Sequence, residues 1–297
     1  MMYKSGYVAI LGKPNVGKST LMNQLLGQKL SIVNPKPGTT RHKTLGILTR
    51  SDAQIIFVDT PGFQKEKNAL EKHMRVAAKS SLEEADLVLL MNDVDGVRSQ
   101  DQDFFQLLSG ISKPVIGLVN KIDLMREDEI PLMIEKFSKL LPFKKVMDIS
   151  CLTGKNLDDL LNHILEYLPE GEPYYPESDV SDRNERFFIG EIIREKVLLF
   201  LHQEVPHGVA IKIEEMKERT EKNLWYIKAN LFVEKDSQKG ILIGGEGKML
   251  KKIGEESRKE IEKFLSTKVY LDLWVKVLKD WRKDEQALKR LGFNLEQ

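Results

Sequence analysis

Gly12-Lys13-Pro14-Asn15-Val16-Gly17-Lys18-Ser19 stands between an apolar run, Tyr7 to Leu11, and a helix-like segment, Thr20 to Leu26. Strand, glycine loop and helix in that order commit this part of the chain to an α/β arrangement with a phosphate-binding loop. Gly12 and Gly17 let the backbone curl so that successive N–H groups face phosphate oxygens, and the positive end of the following helix reinforces them. In that geometry Lys18 reaches the β- and γ-phosphates and Ser19 ligates Mg²⁺, with Lys13, Pro14, Asn15, Val16 and Thr20 completing the cradle. Taken alone, the stretch is also compatible with a glycine turn that binds nothing. The segments downstream decide.

Asn120-Lys121-Ile122-Asp123 follows the apolar run Val115 to Val119, at the end of an expected strand. A carboxylate there accepts two hydrogen bonds from the N1–H and 2-amino group of guanine. Adenine lacks that donor pair and would leave the carboxylate unpaired, which is the strong form of discrimination. Asn120 would brace the loops around the base, and the stem of Lys121 would cover the purine face. Ser150-Cys151-Leu152 follows another strand-like run, Val146 to Ile149, and offers a backbone N–H to the guanine oxygen.

Between these segments lie two expected switch loops. Asp59-Thr60-Pro61-Gly62 closes the apolar run Ile55 to Val58. Asp59 would hold Mg²⁺ through a water, and the Gly62 N–H would meet the γ-phosphate. Upstream, Pro37-Gly38-Thr39-Thr40-Arg41 occupies a polar loop. A threonine there ligates Mg²⁺ only when the third phosphate is present, so the loop orders with GTP and relaxes with GDP. Thr40 is favoured for the metal, Thr39 being the alternative. Ras-like GTPases place a glutamine directly after Asp-x-x-Gly to orient the attacking water; here that position is Phe63, which neither donates nor accepts, and Gln64 is one residue late. Hydrolysis then falls to Lys18, Thr40, Gly62 and Asn15, the last as a ligand for a K⁺ ion in place of an arginine finger. The expected intrinsic turnover is slow, on the order of 10⁻³ s⁻¹ or below, and faster in K⁺ than in Na⁺.

The chain has 297 residues, of which 41% are hydrophobic and 31% charged. That describes a globular protein long enough for two domains. No apolar run approaches membrane-spanning length, and the N-terminus leads into the first strand without a secretory or transit segment. The single cysteine, Cys151, excludes internal disulfides and fits a reducing cytoplasm. The five histidines show no metal-ligand spacing.

Strand-like and helix-like runs alternate to Leu168, the pattern of a mostly parallel sheet with helices on both faces. Residues 1–170 therefore read as an α/β P-loop GTPase domain. Pro169 to Pro176 is rich in helix breakers and polar residues follow, so 171–185 reads as a linker. Residues 186–297 read as a smaller α+β domain ordered helix, strand, strand, helix, glycine loop, helix, strand. Its loop is Gly244-Gly245-Glu246-Gly247, preceded by Ile243 and followed by Lys248, Lys251 and Lys252. A G-x-x-G between helices resembles that of a type II KH domain, where nucleic-acid backbone passes close to peptide N–H groups. It is also the form of a plain helical corner, and Glu246 is a carboxylate where phosphate is expected. From residue 181 on, 24 Lys and Arg face 21 Asp and Glu, too small an excess to argue nucleic-acid binding by itself. Trp225, Trp274 and Trp281 read as core or edge packing in preference to base-stacking platforms, and Asp280 to Gly292 as a charged helix with a solvated face, equally compatible with contact to lipid headgroups or the ribosome.

One GTPase domain followed by one type II KH domain resembles the Era family of bacterial GTPases over nearly the whole chain. The phosphate loop with Lys13-Pro14-Asn15-Val16, the Pro37 to His42 switch, Asp59 to Phe63, Asn120 to Asp123 and the C-terminal G-x-x-G carry the resemblance. It implies a monomeric GTP-hydrolysing switch that binds small-subunit (16S) ribosomal RNA near its 3′ end during maturation of the small ribosomal subunit. For some members it also implies peripheral contact with the inner face of the cell membrane. The competing reading is a membrane-associated signalling GTPase whose C-terminal domain binds protein; a third is an RNA-binding protein whose nucleotide is structural.

Overall fold

The structure is a computed structural model, and it describes residues 2–36, 38–62, 67–94 and 112–293. Its contacts divide the chain into two units. The first comprises Met1–Val33, Thr40–Lys65 and Met74–Asp182; the second comprises Asn34–Thr39, Glu66–His73 and Arg183–Gln297.

The first unit is built on a six-stranded sheet of β1 (Lys4–Gly12), β2 (Thr44–Thr49), β3 (Ala53–Asp59), β4 (Leu87–Asp93), β5 (Val115–Asn120) and β6 (Lys145–Asp148), in the order β2-β3-β1-β4-β5-β6. Every pair is parallel except β2 with β3. A parallel sheet is covered on both faces, so its strands read as unbroken apolar runs. Ile55 to Val58 and Leu87 to Leu90 are accordingly buried throughout. The described helices are α1 (Lys18–Leu26), α2 (Ala69–Glu84), whose first residues belong to the second unit, α3 (Ile130–Ser138) and α4 (Leu157–Tyr167). Leu157, Leu160 and Ile164 form the buried stripe of α4. Strand order reverses at β1, between β3 and β4, and ligands bind at the carboxyl ends of strands at such a point.

Composition marks 171–185 as a linker, but much of that segment is bound to the sheet. The buried amide of Gln54 donates to the Tyr175 carbonyl at 2.8 Å and accepts from the Tyr175 N–H at 3.0 Å. The Val180 carbonyl receives the Ile47 N–H, and Ser181 Oγ donates to the Leu45 carbonyl at 2.6 Å. The free side of β2 is thereby closed by the Val180 carbonyl and by the polar side chains of Ser181 and Asp182, which leave no hydrophobic signature in the sequence.

The second unit holds a three-stranded sheet, β7 (Ala210–Arg219), β8 (Leu224–Val233) and β9 (Lys268–Val277), in that order; β7 and β8 are antiparallel, β8 and β9 parallel. Helices α5 (Glu185–Phe200), α6 (Asp236–Ile243) and α7 (Lys248–Leu265) accompany it, with the short α8 (Glu285–Arg290) after the sheet. Asn184 caps α5 by accepting the Phe187 N–H. The core joins Ile189, Ile193 and Val197 of α5 to Ile227, Ala229 and Leu231 of β8, and to Ile253 and Ile261 of α7. Charged Glu214 to Arg219 hides the second half of β7 from a hydrophobic reading; the strand continues through an irregularity between Ile213 and Glu215. Asp280 to Gly292 differs from the solvated helix expected. Trp281 is fully buried with its indole N–H on the Gly208 carbonyl at 2.9 Å, and Ala287 and Leu288 are buried. In the same unit Lys36 Nζ donates to the Leu198 and Leu201 carbonyls at the end of α5, and Arg194 donates to the Thr39 carbonyl at 2.5 Å.

Candidate nucleotide site and nucleic-acid groove

The loop from Gly12 to Gly17 turns on residues with positive φ: Gly12 at 154°, Asn15 at 67° and Gly17 at 107°. A Cβ on Gly12 would stand 2.5 Å from the Met91 carbonyl oxygen, and one on Gly17 would stand 2.3 Å from Asn120 Nδ2. Both positions exclude a side chain on conformation and on space. Lys18 opens α1 and folds back into the loop, donating to the Gly12 and Lys13 carbonyls at 3.1 and 2.8 Å. Burial lowers the ammonium's pKa to about 8, against the opposing pull of the Asp59 charge. Phosphate oxygens are the natural partners for such a group. Asn15 lies on the exposed side of the loop and Val16 is buried beneath it.

Ser19, Thr40 and Asp59 come together at the start of α1. Ser19 Oγ donates to Asp59 Oδ2 at 2.8 Å and lies 2.9 Å from Thr40 Oγ1. Burial raises the pKa of the Asp59 carboxyl, opposed by Lys18 and by the hydroxyls of Ser19, Ser31 and Thr40. Asp59 Oδ1 is buried and has no hydrogen-bond partner among the described residues. Two hydroxyls beside a dehydrated carboxylate with an unused oxygen fit the oxygen-ligand chemistry of Mg²⁺. Thr39 Oγ1 donates to the Lys36 carbonyl at 2.6 Å, so of the two threonines Thr40 is the one beside Ser19. Thr60 is buried and donates to the Ile10 carbonyl at 2.8 Å, tying the end of β3 to β1. Gly62 lies against the phosphate loop, where a Cβ would stand 3.0 Å from Pro14 N. Pro37, Phe63 and Gln64 lie outside the described residues.

At the base end, Asn120 donates to the Val16 carbonyl at 2.8 Å and accepts the Cys151 N–H at 3.0 Å. One buried amide thus ties the phosphate loop to the segment after β6. Lys121 adopts φ 67° and pairs with Asp93 at 2.7 Å. Asp123 is exposed and receives Ser150 Oγ on Oδ1 at 2.5 Å. Cys151 is buried, and desolvation pushes its thiol up to about 12; Leu152 is exposed.

In the second unit α6 ends at Gly244, which has φ 73° and would bring a Cβ within 2.8 Å of the Met249 Cβ. Gly247, at φ 74°, caps α7. Glu246 between them takes φ 54° and pairs with Lys248 at 2.7 Å, so the carboxylate has a cation beside it. A groove of about 410 Å³ runs between α7 and β9, with Gly247, Leu250, Gly254, Leu271 and Leu273 along it. Lys251, Arg258 and Tyr270 also line it, together with the carboxylate of Glu255. Lys252 instead lies over the Phe200 ring at 4.3 Å. Arg258 and Tyr270 went unread in the sequence because the groove joins residues of a helix and an edge strand that no local spacing links.

A family model described as "50S ribosome-binding GTPase" matches residues 7–121, and one described as "KH domain" matches residues 204–282. GTPase Era of Halothermothrix orenii is 49% identical over 296 residues, covering 99% of this chain and 99% of that protein. GTPase Era of Alkaliphilus oremlandii is 45% identical, covering 99% and 100%. A solved structure of Era in complex with MgGDPNP and nucleotides 1506–1542 of 16S ribosomal RNA superposes with a TM-score of 0.94 at 44% identity, covering 98% of this chain and 99% of that one. Aquifex aeolicus Era in a variant form bound to GDP and AlF4⁻ gives the same TM-score, identity and coverage. With the glycine loop before α1, the Ser19–Thr40–Asp59 cluster, the Asn120 bridge and the G-x-x-G groove all in one chain, and relatives this close along its full length, the protein belongs to the Era family of GTPases.

Proposed function

We propose that the protein is a GTP-driven switch that binds small-subunit ribosomal RNA near its 3′ end through the groove of its second unit and acts in maturation of the small ribosomal subunit. The observation that carries this reading is the pairing, in one chain, of a guanine-type nucleotide site with a G-x-x-G groove lined by Lys251, Arg258 and Tyr270. The related Era bound to nucleotides 1506–1542 of 16S ribosomal RNA supports that choice of RNA. In the nucleotide site the loop N–H groups and Lys18 would hold the phosphates, and Ser19, Thr40 and Asp59 would hold Mg²⁺, Asp59 by way of a water. Gly62 meets the γ-phosphate through its N–H. Mg²⁺ supplies positive charge to the phosphates during transfer. Asp123 reads guanine, Lys121 covers the purine and Ser150, Cys151 and Leu152 border it, with Asn120 fixing the frame. With Phe63 in place of a water-orienting glutamine, intrinsic hydrolysis is slow, and Asn15, exposed on the loop, would ligate a K⁺ ion, which would supply added charge.

The test is anisotropy of a labelled RNA matching the 3′ end of the small-subunit rRNA, titrated with protein and a non-hydrolysable GTP analogue or GDP across a salt series. Sequence-dependent binding that weakens with GDP is expected. Binding indifferent to sequence and nucleotide, collapsing with salt, would reduce the groove to phosphate attraction and return the protein-partner reading.

A further inference from the structure

The three-stranded sheet has a second face, turned away from the core. On β8 the core takes Ile227, Ala229 and Leu231, which leaves Tyr226, Lys228 and Asn230 on the other side. On β9 the parallel register puts Tyr270 beside Tyr226 and Trp274 beside Asn230. Tyr270 is 60% exposed and Trp274 is 51% exposed, an unusual amount of aromatic surface for two residues four apart on one strand.

This aromatic face is ordered. The rings of Tyr226 and Tyr270 stack at 5.9 Å with planes 17° apart. Asp272 Oδ2 accepts from Tyr226 OH at 3.1 Å and from Trp274 Nε1 at 2.9 Å, so one carboxylate oxygen fixes two rings by their polar ends. The Arg219 guanidinium lies 4.7 Å from the Tyr226 centroid, and Lys228 Nζ lies 5.4 Å from that of Trp274. The acidic groups of the face are engaged within it: Glu215 pairs with Lys217, and Glu214 receives the Asn230 amide. Rigid aromatic faces flanked by cations are what sequence-tolerant binding of single-stranded nucleic acid uses, because every base has a π-face and every linkage a negative charge. Tyr270 also lines the α7–β9 groove, so the two surfaces are continuous.

We propose that this outer sheet face is a second RNA-binding surface. Bases of a single strand leaving the groove at Tyr270 stack on Tyr270 and Trp274, while Arg219 and Lys228 meet the phosphates. The inference rests on the groove being an RNA site, and it lengthens that site from the roughly four nucleotides a G-x-x-G loop clamps.

The test compares two single-stranded RNAs from the 3′ end of the small-subunit rRNA, about five and about twelve nucleotides long, chosen to fill the groove alone or to reach beyond it. Both are titrated against the full-length protein with a GTP analogue. Wild type is expected to bind the longer RNA at least about tenfold more tightly, as one stacked base contributes. The double variant Trp274→Ala, Lys228→Ala should keep its affinity for the short RNA and lose most of that gain, and Trp274→Phe should retain it. Unchanged nucleotide affinity and circular dichroism exclude misfolding. A gain that persists in the double variant overturns the proposal, and lost co-sedimentation with the small subunit would then assign the face to a protein partner. If wild type binds neither RNA, the groove reading falls and this inference falls with it; binding of the short RNA with no gain on lengthening overturns the second surface alone.

Discussion

Single residues of the nucleotide site are legible in the sequence where their chemistry is local. Gly12, Gly17, Lys18 and Ser19 sit in one short loop, and that loop accounts for their residue types. What the motif does not show is how the parts lean on each other. Asn120 holds both the Val16 carbonyl and the Cys151 N–H; Asn120→Ala should strand two buried groups at about 1–3 kcal/mol each, lowering thermal stability and GDP affinity together. Asp123→Asn should replace an acceptor with a donor and weaken GTP binding by about a hundredfold or more. Xanthosine triphosphate, with a carbonyl in place of the 2-amino group, should bind the variant better than GTP does in competition titrations. Cys151 offers a pH test. Its thiol stays protonated in the folded chain up to about 12, whereas the ordinary value is 9.0. Its contribution to stability is therefore complete below pH 9 and is lost as pH rises through the folded value. Urea unfolding between pH 8 and 10.5 should show wild type losing more stability with pH than Cys151→Ala, by up to about 1.4 kcal/mol per pH unit above 9.

At the scale of elements, hydrophobic pattern found the central strands and α4 because burial on one or both faces writes itself into residue type. It failed where other forces hold an element in place. The second half of β7 is charged and is kept as a strand by its ladder with β8. Segment 175–182 is full of turn residues and is held by Gln54 and by backbone groups of β2. The groove was legible only from its glycines and Lys251, since β9 enters from far along the chain. The turn into α1 has its own sharp requirement. Gly17→Ala would impose a positive-φ cost of about 1–3 kcal/mol and push a methyl into the Asn120 amide. Loss of GDP binding with a lowered Tm is expected, read by fluorescent-nucleotide titration and calorimetry.

At the scale of the whole molecule, two units with separate sheets allow their functions to be cut apart. Gly245→Asp with Glu246→Asp adds one negative charge to the loop that would meet RNA backbone, and lies in the unit that does not hold the phosphate loop. RNA affinity should fall by about tenfold or more while GTP affinity stays unchanged; equal losses in both would mean that the loop supports the whole fold. The first unit carries a further consequence, for the order in which the chain is made. The bare edge of β2 is sealed by residues synthesised 136 positions later. Until they emerge, a nascent chain presents an open strand edge of the kind that recruits other strands. A fragment ending at residue 170 should therefore aggregate during refolding, and one ending at residue 182 should stay in solution, so the fold's last stitch is also its protection against self-association.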